Sequence, residues 1–183
     1  MPALTVYGSS SPRTPAAFLA AAAEVGRLAA QRGWTVINGA GSQGCMGACT
    51  DACLAAGGTV RGVILRKFAD DGLAHPSLAD LAVAEDMRTR KRLLAESADA
   101  FLGLPGGPGT WEEVWEIAVQ RQIGALRAPL VLVDIDGCWQ PVRAQLERAA
   151  RDGLLYGPPD DLLAIEATPE AAIARIALAL ANA

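Results

Sequence analysis

Residues 104–116 read LPGGPGTWEEVWE. An apolar run stops there, Pro and Gly take over from Pro105 to Gly109, and glutamates follow at 112, 113 and 116. Glycines ahead of a helix let several backbone N–H groups converge on one point at the positive helix end, as a bound phosphate requires. A carboxylate one turn further on could steady a developing cation or orient a water. The loop holds no lysine, so it is not a Walker A motif. The same letters also fit a purely structural role. With Thr110 as N-cap, Thr110-Trp111-Glu112-Glu113 matches the S/T-x-x-E capping box, and Glu113 would satisfy the Thr110 backbone N–H. Trp111, Val114, Trp115 and Ala118 would then face the core, while Glu113, Glu116 and Gln120 would form a separate polar stripe. Glu113 is a candidate for cap and catalyst alike.

A second cluster is EDMRTRKRLLAES, residues 85–97. Asp86 has the character of an N-cap, yet Arg88, Arg90, Lys91 and Arg92 crowd the turns that follow it. Cations at the positive end of a helix are unfavourable by about 0.3–1 kcal/mol each when exposed. For Arg90 and Lys91 that crowding points to an anionic ligand. Arg88 and Arg92 read as a solvated basic face whose stems cover apolar surface. A third stretch, Gly39-Ala40-Gly41-Ser42-Gln43-Gly44, has the G-x-G-x-x-G spacing of a dinucleotide loop between a strand and a helix. It follows the second strand rather than the first, and the next strand ends Ile64-Leu65-Arg66 without an acidic residue for a ribose. Arg66 and Lys67 would suit a 2′-phosphate, but no hydride-transfer site accompanies them. Glycines for close helix–strand packing explain this loop better.

Other chemistries have little to work with. His75 is the one histidine, which leaves a His-dependent triad or a His-based metal site without partners. Either lysine could in principle carry pyridoxal phosphate, but no matching site is visible, so a decarboxylase is a poor fit. No cofactor and no metal is expected. Cys45, Cys49 and Cys53 fall four apart on one stripe of a helix, where small thiols pack readily against a sheet. Of 16 Lys and Arg only Lys67 and Lys91 are lysine, which favours fork-like anion recognition over point charge. A net charge of −4 with a pI near 5.0 gives no electrostatic footprint for nucleic acid. The opening MPALTVYGSSS lacks a basic segment and a long apolar run, and no apolar stretch approaches the roughly 20 residues of a membrane span. A soluble cytoplasmic protein, touching neither membrane nor nucleic acid, is the expectation.

Short apolar runs alternating with amphipathic helices must hold these residues in place. Strands are predicted at residues 4–7, 34–38, 59–65, 100–104 and 129–133, with a weaker one near 162–165. Thr14-Pro15 opens a first helix running to Gly33, and Thr168-Pro169-Glu170 opens the last in the same way. Residues 66–76 read as an irregular loop. Such alternation predicts an α/β chain, a single Rossmann-like domain over residues 1–183 with a doubly wound parallel sheet and helices on both faces. Ligands of open sheets sit beyond the strand carboxyl ends, where Gly8-Ser9-Ser10-Ser11, the Gly39–Gly44 loop and the Pro105–Thr110 loop all fall.

Taken together, these stretches resemble the LONELY GUY family, the cytokinin riboside 5′-monophosphate phosphoribohydrolases. The family's P-G-G-x-G-T-x-x-E is similar to Pro105-Gly106-Gly107-Pro108-Gly109-Thr110-Trp111-Glu112-Glu113, and its M-x-x-R-K to Met87-Arg88-Thr89-Arg90-Lys91. Its G-G-G-x-x-G-x-M-G loop is similar to Gly39–Gly47, with Ala40 standing where a glycine is usual. Tyr7-Gly8-Ser9-Ser10 and Val133-Asp134-Ile135-Asp136-Gly137 also resemble family segments. The likeness runs to about Leu155 and is poor from Arg66 to His75, where the substrate preference is left open.

The resemblance implies hydrolysis of the N-glycosidic bond of a nucleoside 5′-monophosphate, AMP or N6-prenylated AMP, to the free base and ribose 5-phosphate. It implies a homodimer with the active site near the subunit contact, and it carries catalytic roles to Arg90 and Glu113. The amides of Gly106, Gly107, Gly109 and Thr110 are expected to bind the phosphate, with Lys91 supporting Arg90. A nucleotide-binding carrier or sensor on the same fold, and an NADP-dependent oxidoreductase, are the rival readings.

Overall fold

A computed structural model describes residues 1–182. Among them are seven strands: β1 (Ala3–Tyr7), β2 (Thr35–Asn38), β3 (Thr59–Leu65), β4 (Asp80–Ala84), β5 (Ala100–Gly103), β6 (Leu130–Val133) and β7 (Ala164–Glu166). The helices are α1 (Ala16–Gln31), α2 (Gly44–Ala55), α3 (Arg66–Asp70), α4 (Met87–Glu96), α5 (Pro108–Gln122), α6 (Gln140–Arg151), α7 (Pro159–Leu162) and α8 (Pro169–Ala181). All strand pairs are parallel, in the order β4-β3-β2-β1-β5-β6-β7. The doubly wound α/β architecture is therefore the one expected.

Its central strands carry near-continuous apolar runs because both sheet faces are covered. On one face Val25 and Ala29 of α1, Cys45, Cys49 and Cys53 of α2, and Ile173 and Ile176 of α8 pack on β1 and β5. On the other, Leu94 of α4, Val114 and Ile117 of α5 and Leu146 of α6 do so. The cysteine stripe faces the first of these cores, where burial pushes the Cys45 thiol up to about 11. At Gly26 of α1 a methyl would overlap the Cys49 carbonyl, so α1 and α2 approach more closely than any side chain at that position allows.

The strand order turns outward in both directions from β1 and β5, which makes their carboxyl ends the switch point. Three local expectations need correction. β4 was not anticipated: it is a short edge strand, exposed at Asp80 and Val83, whose partners are visible only once β3 lies beside it. Arg66–Asp70 is a short helix instead of loop. Thr14 does not cap α1. Its hydroxyl donates to the Ser11 carbonyl at 2.8 Å, and Pro15 holds the cap position without a side-chain acceptor. Gly33 (φ +69°) ends α1 as expected, and Thr168 accepts the Ala171 N–H at 3.2 Å to cap α8.

Candidate active site

Beyond the carboxyl ends of β1, β2, β3 and β5 lies a cavity of about 770 Å³. Its floor is built from the glycine-bearing loops after β1, β2 and β5. Ser9 N–H donates to the Pro105 carbonyl at 3.1 Å, and Met46 N–H donates to the Ser9 carbonyl at 3.2 Å, so the loop after β1 is clamped between the other two. Gly44 has φ +63°, and a Cβ there would sit 2.5 Å from the Ser9 carbonyl oxygen; position 44 thus requires glycine twice over.

Two helices open on this cavity with no side chain capping their first turns, although the Met46 N–H of α2 is already taken by the Ser9 carbonyl. Neither α2 nor α5 has a side-chain cap or an acidic residue in its first turn. Unpaired N–H groups at the positive ends of helices are acceptor sites for an anion. The third helix there, α4, differs: Asp86 accepts the Thr89 N–H at 2.9 Å, so α4 offers side chains rather than amides.

The start of α5 revises the capping-box expectation. Gly107 is the N-cap and Pro108 the first helical residue, which puts Thr110 a turn inside and leaves Glu113 no capping duty. Thr110, 4% exposed, lines the cavity together with Gly107, Pro108 and Gly109. Gly106 is not in the lining, but a methyl there would overlap the Thr110 hydroxyl, so its glycine lets Thr110 close in. The buried face of α5 is formed by Thr110, Glu113, Val114, Ile117 and Ala118, which leaves Trp111 outward at 48% exposure and Trp115 half-buried, whereas Val114 and Ala118 are buried as expected. Glu113 leaves the predicted polar stripe and goes inward, at 6% exposure.

Glu113 and Arg90 meet at the cavity wall. Arg90 Nη1 donates to Glu113 Oε1 at 2.9 Å, and Arg90 Nε donates to the Val63 carbonyl at 3.2 Å. Arg90 is 8% exposed, and both residues line the cavity. Burial raises the Glu113 carboxyl above its ordinary value, against the lowering pull of Arg90. Lys91, one residue on, goes elsewhere: its Nζ bonds Glu112 Oε1 at 2.7 Å and Glu116 Oε2 at 2.9 Å, and it lies outside the lining. Those two bonds raise its pKa and hold it charged. Arg92 pairs with Glu96 at 2.5 Å and Arg88 is exposed, both on the solvent side.

Among the lining residues, Ile64, Leu65, Phe68 and Leu73 belong to no motif, whereas Met46 and Met87 stand in the Gly39–Gly47 and Met87–Lys91 stretches. Met46, Ile64, Leu65, Phe68, Leu73 and Met87 give the cavity an apolar side. Phe68 and Leu73 come from the stretch read as plain loop, and their apolar character was the one available hint. Under the pair, Tyr7 stacks on Phe101 with ring centroids 6.2 Å apart. Burial and the neighbouring Glu113 and Glu116 charges push its hydroxyl far above the ordinary tyrosine value.

Residues 46–176 match a family model described as possible lysine decarboxylase. A cytokinin riboside 5′-monophosphate phosphoribohydrolase of Rhodococcoides fascians is 36% identical over 153 residues, which span 83% of this chain and 77% of that protein. One of the same description from Mycobacterium tuberculosis is 38% identical over 143 residues, 78% of this chain and 76% of that protein. The chain belongs to the LONELY GUY family. Among solved structures, the molybdenum cofactor binding protein of Rippkaea orientalis aligns with a TM-score of 0.76 over 97% of this chain and 96% of that one, at 20% identity. A Moco carrier protein of Chlamydomonas reinhardtii aligns with a TM-score of 0.74 over 100% and 99%, at 25% identity. The LONELY GUY fold is thus shared with carriers as well as hydrolases. The lysines do not fit the decarboxylase description: Lys91 is held between two carboxylates, and Lys67 is exposed at the cavity mouth, with no buried amine available for a pyridoxal Schiff base. No helix of the described residues is long and apolar enough to cross a membrane.

Proposed function

We propose that this LONELY GUY chain hydrolyses the N-glycosidic bond of nucleoside 5′-monophosphates, AMP or its N6-prenylated form. Water adds to the anomeric carbon, the carbon–nitrogen bond breaks, and the base leaves with a proton, giving free base and ribose 5-phosphate. The observation that carries this reading is the buried Arg90–Glu113 pair at 2.9 Å on the wall of a cavity that two uncapped helices open into. The Gly107, Gly109 and Thr110 amides hold the phosphate, with Gly106 giving Thr110 its close approach. Glu113 opposes the positive charge that develops on the ribose, or orients the attacking water, within a site where water no longer screens it. Arg90 positions Glu113 and the nucleotide. Lys91 braces α4 against α5 through Glu112 and Glu116 and acts on the substrate only through that brace.

Trp111 and Val119 of α5 and Ile123 just past its end are 48%, 55% and 62% exposed and follow one another at helical spacing with half-buried Trp115 between them. An apolar stripe of this kind beside the cavity suits a second copy of the chain, so the enzyme is a homodimer with its sites near the contact. Val119→Asp is expected to shift the sedimentation coefficient from dimer to monomer; an unchanged value places the contact elsewhere. The reading belongs to a cytoplasmic enzyme working on nucleotides.

Incubation with AMP and with N6-prenylated AMP, followed by chromatography of the base, tests the activity. Free base and ribose 5-phosphate in equal amounts support the hydrolase. Nucleotide retained with no base released favours a carrier, the reading to which the Chlamydomonas reinhardtii likeness lends weight.

A further inference from the structure

Three sides of the Arg90 guanidinium are occupied. Nε is fixed by the Val63 carbonyl and Nη1 by Glu113, at 3.2 and 2.9 Å. Nη2 lies against the backbone of Gly39, where a methyl would overlap it and would also press on Met46 Sδ at 2.9 Å. The planar fork therefore has no freedom to swing while residue 39 is glycine and stays where it is.

What holds Gly39 there is its neighbour. Ala40 is fully buried in the left-handed region, at φ +61°, a conformation an L side chain enters only under constraint. Its N–H donates to Asn38 Oδ1 at 2.9 Å, and Asn38 Nδ2 donates to Thr50 Oγ1 at 2.9 Å. Its carbonyl accepts the His75 N–H at 2.8 Å. His75 Nδ1 accepts the Ser77 N–H at 3.2 Å, which leaves Nε2 to donate to Asp51 Oδ1 at 3.0 Å. Thr50 and Asp51, adjacent on α2, thus reach the two polar backbone atoms of Ala40 through two intermediaries. The Ala40 methyl points away from the cavity toward Gly62, where a Cβ would sit 2.7 Å from it. Alanine is tolerated where the family carries glycine because position 62 makes the room, and the cavity keeps the two glycines that line it, 39 and 41.

We infer that Asn38 and Gly39 are positioning residues for Arg90: the kink at Ala40, held by Asn38, sets Gly39 against Nη2 and so aims the guanidinium that orients Glu113. Their effect on turnover rests on the hydrolase reading, whereas their effect on the Arg90 side chain does not. Displacement of a catalytic fork by about 1 Å costs on the order of 100-fold in rate. Gly39→Ala should therefore lower kcat about 100-fold and Asn38→Ala about tenfold, with KM moving less than about threefold.

Arg90→Lys, made alone and together with each of these, separates positioning from a general loosening. Lysine has no Nη2 to be displaced, so each double variant should be no slower than Arg90→Lys alone. Multiplying losses, or a Gly39→Ala kcat within about threefold of wild type, would overturn the inference. NMR of the Arg90 Nε–H provides a readout independent of activity. The resonance, protected by the Val63 carbonyl, should move or broaden in both Gly39→Ala and Asn38→Ala. An unmoved resonance overturns the positioning role, even if wild type releases no base from any nucleotide, which would instead defeat the hydrolase reading.

Discussion

Arg90 and Lys91 are consecutive residues of one helix, and both pair with glutamates of α5, yet the two bridges differ in kind. Arg90 and Glu113 are buried to 8% and 6% exposure on the cavity wall, whereas Lys91 meets Glu112 and Glu116 at the surface. A buried pair carries a large desolvation cost that its mutual attraction barely offsets, while an exposed pair costs and contributes little. Maintaining the costly bridge is therefore a matter of what it does at the cavity, and the inexpensive one is a brace. The comparison teaches that charge type and sequence neighbourhood do not distinguish the two; burial does.

Substitutions can break that contrast. The largest effect is expected from Glu113→Gln, which keeps an acceptor for Arg90 but removes the carboxylate: base release should fall on the order of 10³-fold. Turnover equal to wild type would remove Glu113 from the chemistry. Arg90→Met should cost about 3–5 kcal/mol in denaturant unfolding, because it leaves the Glu113 carboxylate buried without its partner. The same change made in the Glu113→Gln background should cost clearly less, and equal costs would mean the pair does not act as a unit.

A smaller effect is expected in the pH dependence of stability. Burial raises the Glu113 carboxyl, so the folded chain holds that proton more tightly than the unfolded one. The stability associated with the bound proton is present below the unfolded value and is lost as pH rises through the folded one. Wild type should accordingly lose stability relative to Glu113→Gln as pH climbs just above the ordinary glutamate range, and parallel melting curves would contradict this. The smallest effect belongs to Lys91→Met, at under about 1 kcal/mol, with base release little changed. A loss of turnover as deep as that of Glu113→Gln would return Lys91 to the substrate site.

Much of the site was legible in the letters, and the misses have physical causes. The Pro- and Gly-rich loop at 105–109 was recognisable because a chain that must present amides cannot carry side chains there. Its helix was entered three residues late, because Thr110 followed by Glu113 imitates a cap when Gly107 and Pro108 already serve. Which face α5 turns to its neighbours decides Trp111 and Glu113 together: one goes to the surface, the other to the cavity. β4 was missed because an edge strand is defined by its neighbour more than by its own five residues. Phe68 and Leu73 escaped because an apolar residue in a connecting segment declares no destination until the cavity exists.

Local rules carried the rest. Alternating apolar runs, the glycines that end and separate helices, and the Asp86 and Thr168 caps depend on interactions within a few residues, so the sequence alone determined the α/β class, the sheet's central strands and the loops that meet at its carboxyl edge. Which of two adjacent cations is buried, which glutamate it meets and which glycine keeps it in place depend on contacts between residues 23, 27 and 51 positions apart. Desolvation, which separates the buried carboxylate of Glu113 from the surface ones of Glu112 and Glu116, arises only when distant elements exclude water from it, and that was decided by the tertiary structure.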